Sequence, residues 1–587
     1  MVSPPGRPIV SAMGSILQPI AQFVDYYLQP MVRDMESFLR DSSMLLDCLS
    51  TISCTDKDLL VTLDVTSLYT VIPHHDGMEA TRQHLLHDPY VGPPVEVHYR
   101  GLFLMIFSLG IGGTFQYGFH ISVLTSPSPF IKNFINSTWI HRYNNPISDS
   151  ALRILWSCIV SGYCIGGIVG TAGSGYFSSI YGKKRSQLYS NLIPLVAAML
   201  ISCSKFAKSF EMILISRILY GINAGIGLNL HPQQAAEIAP KNLRGFTNTT
   251  ISIFVTAGKL FGQIFGLREV LGAESQWPLL LAMSGVWSLV QLVTLPFFPE
   301  SPPYLLMEKN DKEGCVTALK TLWGDRDHQS QIDEMLKEQA ARKSKRNLSV
   351  QELLWEPSLR WQLYTLIALT IALQLCGVNA IYFYASEVFL AAKFPLTQIP
   401  YLTVGVGVCE TFSVILSSLL VDRFGRRILL LLGYLVMVLS LALLTVSISL
   451  QERFHWLPIC SVMLIFLFVI SFGTGPGSTT VTVIAEMFTQ ESRAAAFTLV
   501  GVINWIGLLA IGMIFPFVEA SMGQYCFLIF LVVIAGCGIF LFFFLPETKG
   551  KSWLEIRQDF DKLNLTKQQS TENSKSPSKD FVVSTKL

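Results

Sequence analysis

The sequence predicts an all-α membrane protein whose twelve spanning helices fall into two halves of six, joined by a polar linker. Three observations predict it. The 587 residues are 51% hydrophobic and only 14% charged, whereas a soluble domain carries about 25% charged residues. From Gly101 to Leu545 long apolar runs alternate with short polar links, and each run approaches the ~20 residues that cross a bilayer. Charged motifs then recur at matching points of the first six and last six runs, as an internal duplication leaves them.

Residues 1–92 stand apart from this pattern. They hold charges, short apolar pieces and an expected strand at Leu59–Val65, and nothing in them is long enough to span. Gly6-Arg-Pro-Ile-Val-Ser11 and the stretch from Leu60 to Pro73 resemble reverse transcriptases of mobile retroelements. The resemblance implies that Asp64 stands where that family keeps its first metal-binding carboxylate. Two-metal chemistry needs further carboxylates, and no Tyr-x-Asp-Asp piece follows before the membrane region. The segment is therefore expected to be an inactive fragment, not an enzyme. The first apolar segment long enough to insert starts near Gly101, so no cleavable signal peptide is expected.

The spans are expected near 101–121, 153–176, 187–204, 210–230, 247–267 and 277–297, then 361–387, 398–421, 428–449, 458–484, 495–518 and 525–545. The domain plan is 1–92 leader, 93–299 first bundle, 300–358 linker, 359–547 second bundle and 548–587 tail. The linker carries the basic cluster Arg342-Lys-Ser-Lys-Arg346, and the tail beyond about 561 has no apolar face and is expected to be disordered.

Orientation follows from the basic residues. Lys183-Lys-Arg185, Lys241, Arg244, the linker, Arg423, Arg426-Arg427 and Arg493 fall in every second loop, with Lys205 and Lys208 as minority exceptions. The positive-inside rule puts those loops, and both termini, in the cytosol. Of four Asn-x-Ser/Thr sequons, Asn136 alone then faces outward, where a glycan is attached.

The duplication is visible in three motif pairs. Gly182-Lys-Lys-Arg185 answers Asp422-Arg-Phe-Gly-Arg-Arg427, and Glu237 with Arg244 answers Glu486 with Arg493. Glu300 in Pro299-Glu-Ser-Pro302 answers Glu547 in Pro546-Glu-Thr-Lys-Gly550. Acids and bases gathered at one membrane face are expected to pair between halves when that face is closed, which gives them a gating role.

Span seven is the most informative stretch. Gln374, Gly377 and Asn379 lie near the middle of an apolar run. Amides at that depth are costly unless they face protein or a water-filled cavity, and broken helices at the midplane are where transporters hold substrate. Pairing with neighbouring helices is the alternative that these residues leave open.

The motifs in this order resemble the sugar porters of the major facilitator superfamily, and among them the facilitative hexose transporters, over about residues 100–560. The resemblance implies the major facilitator fold, one sugar site between two pseudo-symmetric bundles, and passive transport of glucose or fructose by alternating access. It implies that Gln374, Asn379 and Asn504 hydrogen-bond sugar hydroxyls, that Trp505 lies against a sugar face, and that Tyr382, Phe383 and Tyr384 close the outer side. A hydroxyl-rich neutral ligand suits amides, which both donate and accept. Gln116 and Gln263 are either further sugar contacts or packing amides.

The departures bear on the sugar. Leu373 stands where many members have the first of two Gln, Ser252 where glucose-selective members have a span-five Gln, and Val481 where they have a Trp. Glu410 replaces a span-eight Asn, Pro303 an Arg and Gln234 a Tyr. Fewer amides and a missing ring leave fructose as a substrate beside glucose. Ser252 and Glu410 join the expected contact set.

Glu410 and Lys259 are ionisable groups inside spans, a functional signal by default. Glu410 either stands in for an amide or serves proton–sugar symport. Lys259 either snorkels or has a carboxylate partner, for which Glu410 is a candidate. The expected protein is a hexose uniporter of the plasma membrane, with proton symport or a non-transporting chimeric product as alternatives. Its partners are the sugar and the bilayer. No cofactor or metal is expected, because the 11 cysteines are scattered without ligand spacing. The net charge of +2 argues against nucleic acid.

Overall fold

The computed structural model describes residues 99–562, apart from 241–242, 308, 325–327, 330, 334, 337–347, 396, 552–554 and 561. The expected leader strand, Asp64 and the end of the tail lie outside the described residues.

Among the described residues twelve helical spans cross the bundle. Ten apolar stretches are long enough to do so; one of them, Ala495–Phe544, is two helices, and the shorter Thr249–Phe265 completes span five. The last two spans are Gln490–Met522 and Cys526–Phe544, joined by one turn of 3-10 helix. Span nine, Arg426–Leu450, shows why a bilayer is required. Leu432, Leu435, Leu439, Leu443 and Val446 form a stripe that is more than half exposed, while Leu430, Tyr434, Met437, Leu441 and Leu444 face inward. Lipid covers the stripe at no cost, whereas water would not.

Lipid tails are as apolar as leucine, so the helices associate through close packing, and small residues allow it. Spans two (Asp149–Tyr181) and four (Glu211–Ile238) meet at Gly166 and Gly221, where an added Cβ on either would collide with the other helix's backbone. Spans one and five meet in the same way at Gly118 and Gly258.

Four spans are broken, span three only by the single turn residue Asn191 between Lys183–Ser190 and Leu192–Cys203. Span one is Arg100–Gly112 then Thr114–Ser122, parted at Gly113, and span ten is Leu457–Thr474 then Pro476–Met487, parted at Gly475. Span seven runs Arg360–Gln374, stops, and resumes as Val378–Phe383 and Ala385–Ala391. Its break has a cause in sequence. Gly377 sits at φ +97°, a conformation that residues with a Cβ rarely adopt, and such an atom would stand 2.8 Å from the Phe530 ring.

The linker is more ordered than its polarity suggested. The helix Lys312–Trp323 starts on an Asp311 cap, whose carboxylate accepts the Gly314 N–H at 2.7 Å. Cys315, Leu319, Leu322 and Trp323 bury against Leu102, Met105, Ile106 and Leu109 of span one. Trp323 Nε1 donates to the Ile238 carbonyl at 2.9 Å and satisfies the open end of span four. Gly101 lets the two helices touch, since a Cβ there would strike the Thr321 carbonyl.

Candidate functional site

The break in span seven turns its two amides toward each other. Asn379 Nδ2 donates to Gln374 Oε1 at 2.8 Å and, more weakly, to the Gln374 carbonyl at 3.3 Å. Gln374 Nε2 in turn donates to Asn504 Oδ1 on span eleven. Asn504 Nδ2 is buried without a hydrogen-bond partner, and so is Trp505 Nε1. Trp505 is fully buried, its ring laid on Gly167 of span two and edge-on to Tyr117 and Tyr163 of the first half, 5.4 and 5.5 Å between centroids. Three amides and an indole thus gather where the second half meets the first. The two orphaned N–H groups are capacity that a hydroxyl-bearing ligand can use.

A second cluster joins the halves at span five, Arg244–Phe265, and span eight, Ile399–Phe424. Lys259 Nζ lies 2.7 Å from Glu410 Oε1, across 151 residues of sequence. Tyr382 donates its hydroxyl to Glu410 Oε2, and the Lys259 ammonium stands 4.4 Å from the Tyr382 ring centroid. All three are almost entirely buried. Glu410 is therefore the carboxylate partner of Lys259, and Lys259 does not snorkel.

The end of the bundle away from the charge motifs is closed. Thr125 Oγ1 donates to the Tyr382 carbonyl at 2.5 Å, and Ser386 Oγ to the Thr125 carbonyl at 3.2 Å. Lys132 pairs with Glu387 at 2.7 Å, and Tyr401 donates to Glu269 at 2.5 Å, which holds that carboxyl below its ordinary range. Each of these contacts joins the two halves. Of the expected aromatic trio, Tyr382 takes part directly. Tyr384 instead donates to the Gly512 carbonyl within its own half and stacks on Phe515, and Phe383 is buried beside it.

At the motif end the duplication is repeated in geometry. Gly182 and Gly425, at φ +82° and +92°, turn the chain into spans three and nine. The first residue of each then points back at the acid ending span four or ten: Lys183 pairs with Glu237, and Arg426 with Glu486 at 3.1 Å. A second acid caps the new helix, where unsatisfied N–H groups favour negative charge. Glu547 accepts from the backbone N–H of Arg426 and Arg427 at 3.0 and 3.1 Å, and Glu300 from that of Lys184 at 3.2 Å. Burial pushes the Glu300 carboxyl up, against these donors and the neighbouring Lys184 and Arg185 charges.

Pairing between halves is expected only when this face is closed; the pairs seen here lie within each half, and their cations are Lys183 and Arg426. Arg185 and Arg423 are exposed. Arg427 donates to the Phe542 carbonyl at 2.5 Å, and Arg493 to the Phe488 carbonyl at 3.2 Å. The Arg244 side chain is outside what is described. In each half the residue just after the left-handed glycine is the one that meets the acid.

Gln116 does not join the amide cluster. Its Nε2 donates to Ser288 at 2.8 Å, and its Oε1 accepts from Ser284 at 2.9 Å and Asn223 at 3.2 Å, all within the first half. Gln263 packs at the crossing of spans five and eight, where an added Cβ on Gly407 would strike its Oε1. Ser252 is half-buried on span five. Asn136 lies half-buried in the helix Ser128–Tyr143, with its sequon Thr138 buried.

One buried charge lies outside the repeated motifs. Arg217 of span four is fully buried, donates to the His120 carbonyl at 3.3 Å, and stands 4.7 Å from the Tyr163 ring centroid. A charge inside span four was visible in the sequence. The aromatic and carbonyl partners that hold it come from spans one and two. An apolar groove of about 400 Å³ lies elsewhere, between spans nine and ten, lined by Leu443, Val446, Leu457, Met463 and Leu467 on the lipid face.

The chain matches the family described as sugar (and other) transporter over residues 105–560. Solute carrier family 2, facilitated glucose transporter member 9 of Mus musculus is 41% identical over 453 residues, which are 77% of this chain and 84% of that protein. Member 5 of Rattus norvegicus is 40% identical over 463 residues, 79% of this chain and 92% of that protein. Among solved structures, the partially occluded inward-open xylose transporter XylE from E. coli superposes with a TM-score of 0.65 at 21% identity, covering 77% of this chain and 100% of that one. The proton:xylose symporter XylE bound to 6-bromo-6-deoxy-D-glucose gives 0.64 at 21%, covering 78% and 99%. At that identity the structural likeness establishes the fold. This chain belongs to the sugar transporter family, in its solute carrier family 2 branch of facilitated glucose transporters, and is a multi-pass membrane protein of the major facilitator fold.

Proposed function

We propose that the protein is a facilitative hexose transporter that carries glucose, fructose or both by alternating access. The carrying observation is the amide cluster of Gln374, Asn379 and Asn504 beside Trp505, set in a broken helix at the meeting of the two halves. In the sugar-free state these amides bond one another. A hexose displaces those bonds with its hydroxyls and gains the orphaned N–H groups of Asn504 and Trp505. The indole offers an apolar face to the C–H side of the ring. Gln116 serves packing, and Gln263 lies at the crossing of spans five and eight.

The chemistry needs no cofactor and makes no covalent bond; differential affinity of the sugar for the occluded state drives the switch. The protein is a carrier, not an enzyme. Uniport is favoured over proton symport because the Glu410 carboxylate is engaged by Lys259 and Tyr382. Counterflow of labelled hexoses in proteoliposomes tests both points. Equal rates with and without a pH gradient are expected; sugar entry that moves protons would reverse the assignment to uniport, and no hexose flux would remove the function.

The motif end is assigned to the cytosol, with both termini, and the closed end to the outside of the plasma membrane. Asn136 is the expected glycan site; a glycosidase-sensitive mobility shift that survives Asn136→Gln would exclude it. Gly110–Gly118, Asn136–Trp139, Gln263–Glu269 and Cys409-Glu410 look most like facilitated glucose transporter member eleven. The retroelement-like residues 1–92 precede the family match, which begins at residue 105. Transport by a variant starting at Tyr99, equal to that of the full chain, would support an inert leader; loss of transport would assign it a role.

A further inference from the structure

The buried pair of Lys259 and Glu410 is not accounted for by sugar recognition. Two charges inside a bilayer are retained only where they are paired and hydrogen-bonded. Here the pair joins the two halves, since Lys259 belongs to span five and Glu410 to span eight. The second carboxylate oxygen takes the Tyr382 hydroxyl, and the ammonium lies over the same ring. Tyr382 in turn receives, on its carbonyl, Thr125 of the turn that follows span one. A continuous chain therefore runs from span five through span eight to span seven and on to the outer end of span one. It ends among the contacts that shut the outer side.

We infer that Lys259, Glu410 and Tyr382 form an inter-half latch that holds the outward-closed state, with Lys259 the positioning residue that keeps the Glu410 carboxylate on the Tyr382 hydroxyl. The latch rests on the alternating-access reading. Opening the outer side moves spans one and seven apart and pulls Tyr382 off the pair. A carboxylate left with only one of its two donors in a dry interface is poorly satisfied, so opening carries a cost that the sugar's binding must meet from outside. The closed state is favoured in the absence of sugar for the same reason. Removing either charge leaves the other buried and alone. The partner then gains by reaching water, which the open state supplies.

The test reads conformation without sugar. Spin labels on Asn145→Cys and Thr397→Cys, exposed positions on the outer loops of opposite halves, report the width of the outer side in nanodiscs. The unmodified pair is expected to give a mainly short distance. Lys259→Met and Glu410→Gln are each expected to shift the closed-to-open ratio at least 10-fold toward the longer distance. The charge swap K259E/E410K is expected to recover most of the short population. The same variants should alter the ratio of influx KM to efflux KM, which a merely structural residue would leave alone. If a single variant does not reach the membrane, the neutral pair K259M/E410M replaces it and should also favour the long distance. Unchanged distances in the single and paired neutral variants, or a swap no better than the singles, would overturn the latch. Absence of hexose counterflow in the unmodified protein would instead remove the transport reading and leave the distances to judge the latch by themselves.

Discussion

Gly377→Ala is the substitution whose effect the structure defines most closely. The residue sits at φ +97°, and an added Cβ would stand 2.8 Å from Phe530 Cδ2 and 3.0 Å from its Cγ. A left-handed backbone costs a residue with a Cβ about 1–2 kcal/mol, and forcing a methyl into a filled space costs about 1–3 kcal/mol more. The relief of about 2–5 kcal/mol is to rewind the break, and rewinding carries Gln374 and Asn379 off their 2.8 Å bond. If two sugar hydrogen bonds at about 0.5–1.5 kcal/mol each are lost, KM rises about 5- to 150-fold, at 1.4 kcal/mol per factor of ten. The assay is hexose counterflow by the purified variant, with thermal midpoint and surface expression measured beside it. Gly175→Ala and Gly536→Ala are the controls, because a Cβ at either position meets nothing within 4 Å. A Gly377→Ala variant with wild-type KM and midpoint would refute the claim that the break organises the site.

Other residues give narrower expectations. Trp323→Ala removes a buried ring and the 2.9 Å bond to the Ile238 carbonyl, a loss of about 3–5 kcal/mol; faster proteolysis of the linker with unchanged KM is expected, and unchanged proteolysis would contradict the docking. Glu547→Gln weakens the acceptor of two helix-starting N–H groups, worth about 1–2 kcal/mol, and should lower the thermal midpoint; an unchanged midpoint would contradict the cap. Glu300 carries a pH signature, because burial raises its carboxyl above the unfolded value. Its stabilising protonation is complete below the unfolded value and is lost as pH rises through the folded one. Acidification over that window should raise the midpoint in the unmodified protein and less so in Glu300→Gln; equal slopes would oppose it.

Sequence alone carried the spans because each rests on a local property, an apolar run of sufficient length. The break in span seven was legible for a similar reason: Gly377 stands between two amides that hydrocarbon does not tolerate unpaired. The breaks at Gly113 and Gly475 were overlooked, although the run Gly473-Thr-Gly-Pro-Gly477 signals one of them. Pairings were harder. Lys259 and Glu410 meet across 151 residues, which no spacing rule reaches. Lys183 faces Glu237 just after a left-handed glycine, a backbone property invisible in a count of charges. For Gln116 the sequence leaves sugar contact and packing open, because an amide in a span looks the same whether a serine or a hydroxyl of substrate satisfies it. The linker helix hid its apolar face among charges, and only span one reveals what that face covers.

The central claim is that span seven's amides bind the hexose. Counterflow kinetics of Gln374→Ala and Asn379→Ala, compared with the unmodified protein at equal surface expression, test it most directly. KM is expected to rise about 5- to 150-fold in each, at about 1–3 kcal/mol for the hydrogen bonds removed. Unchanged KM in both variants would contradict it and return those amides to helix packing.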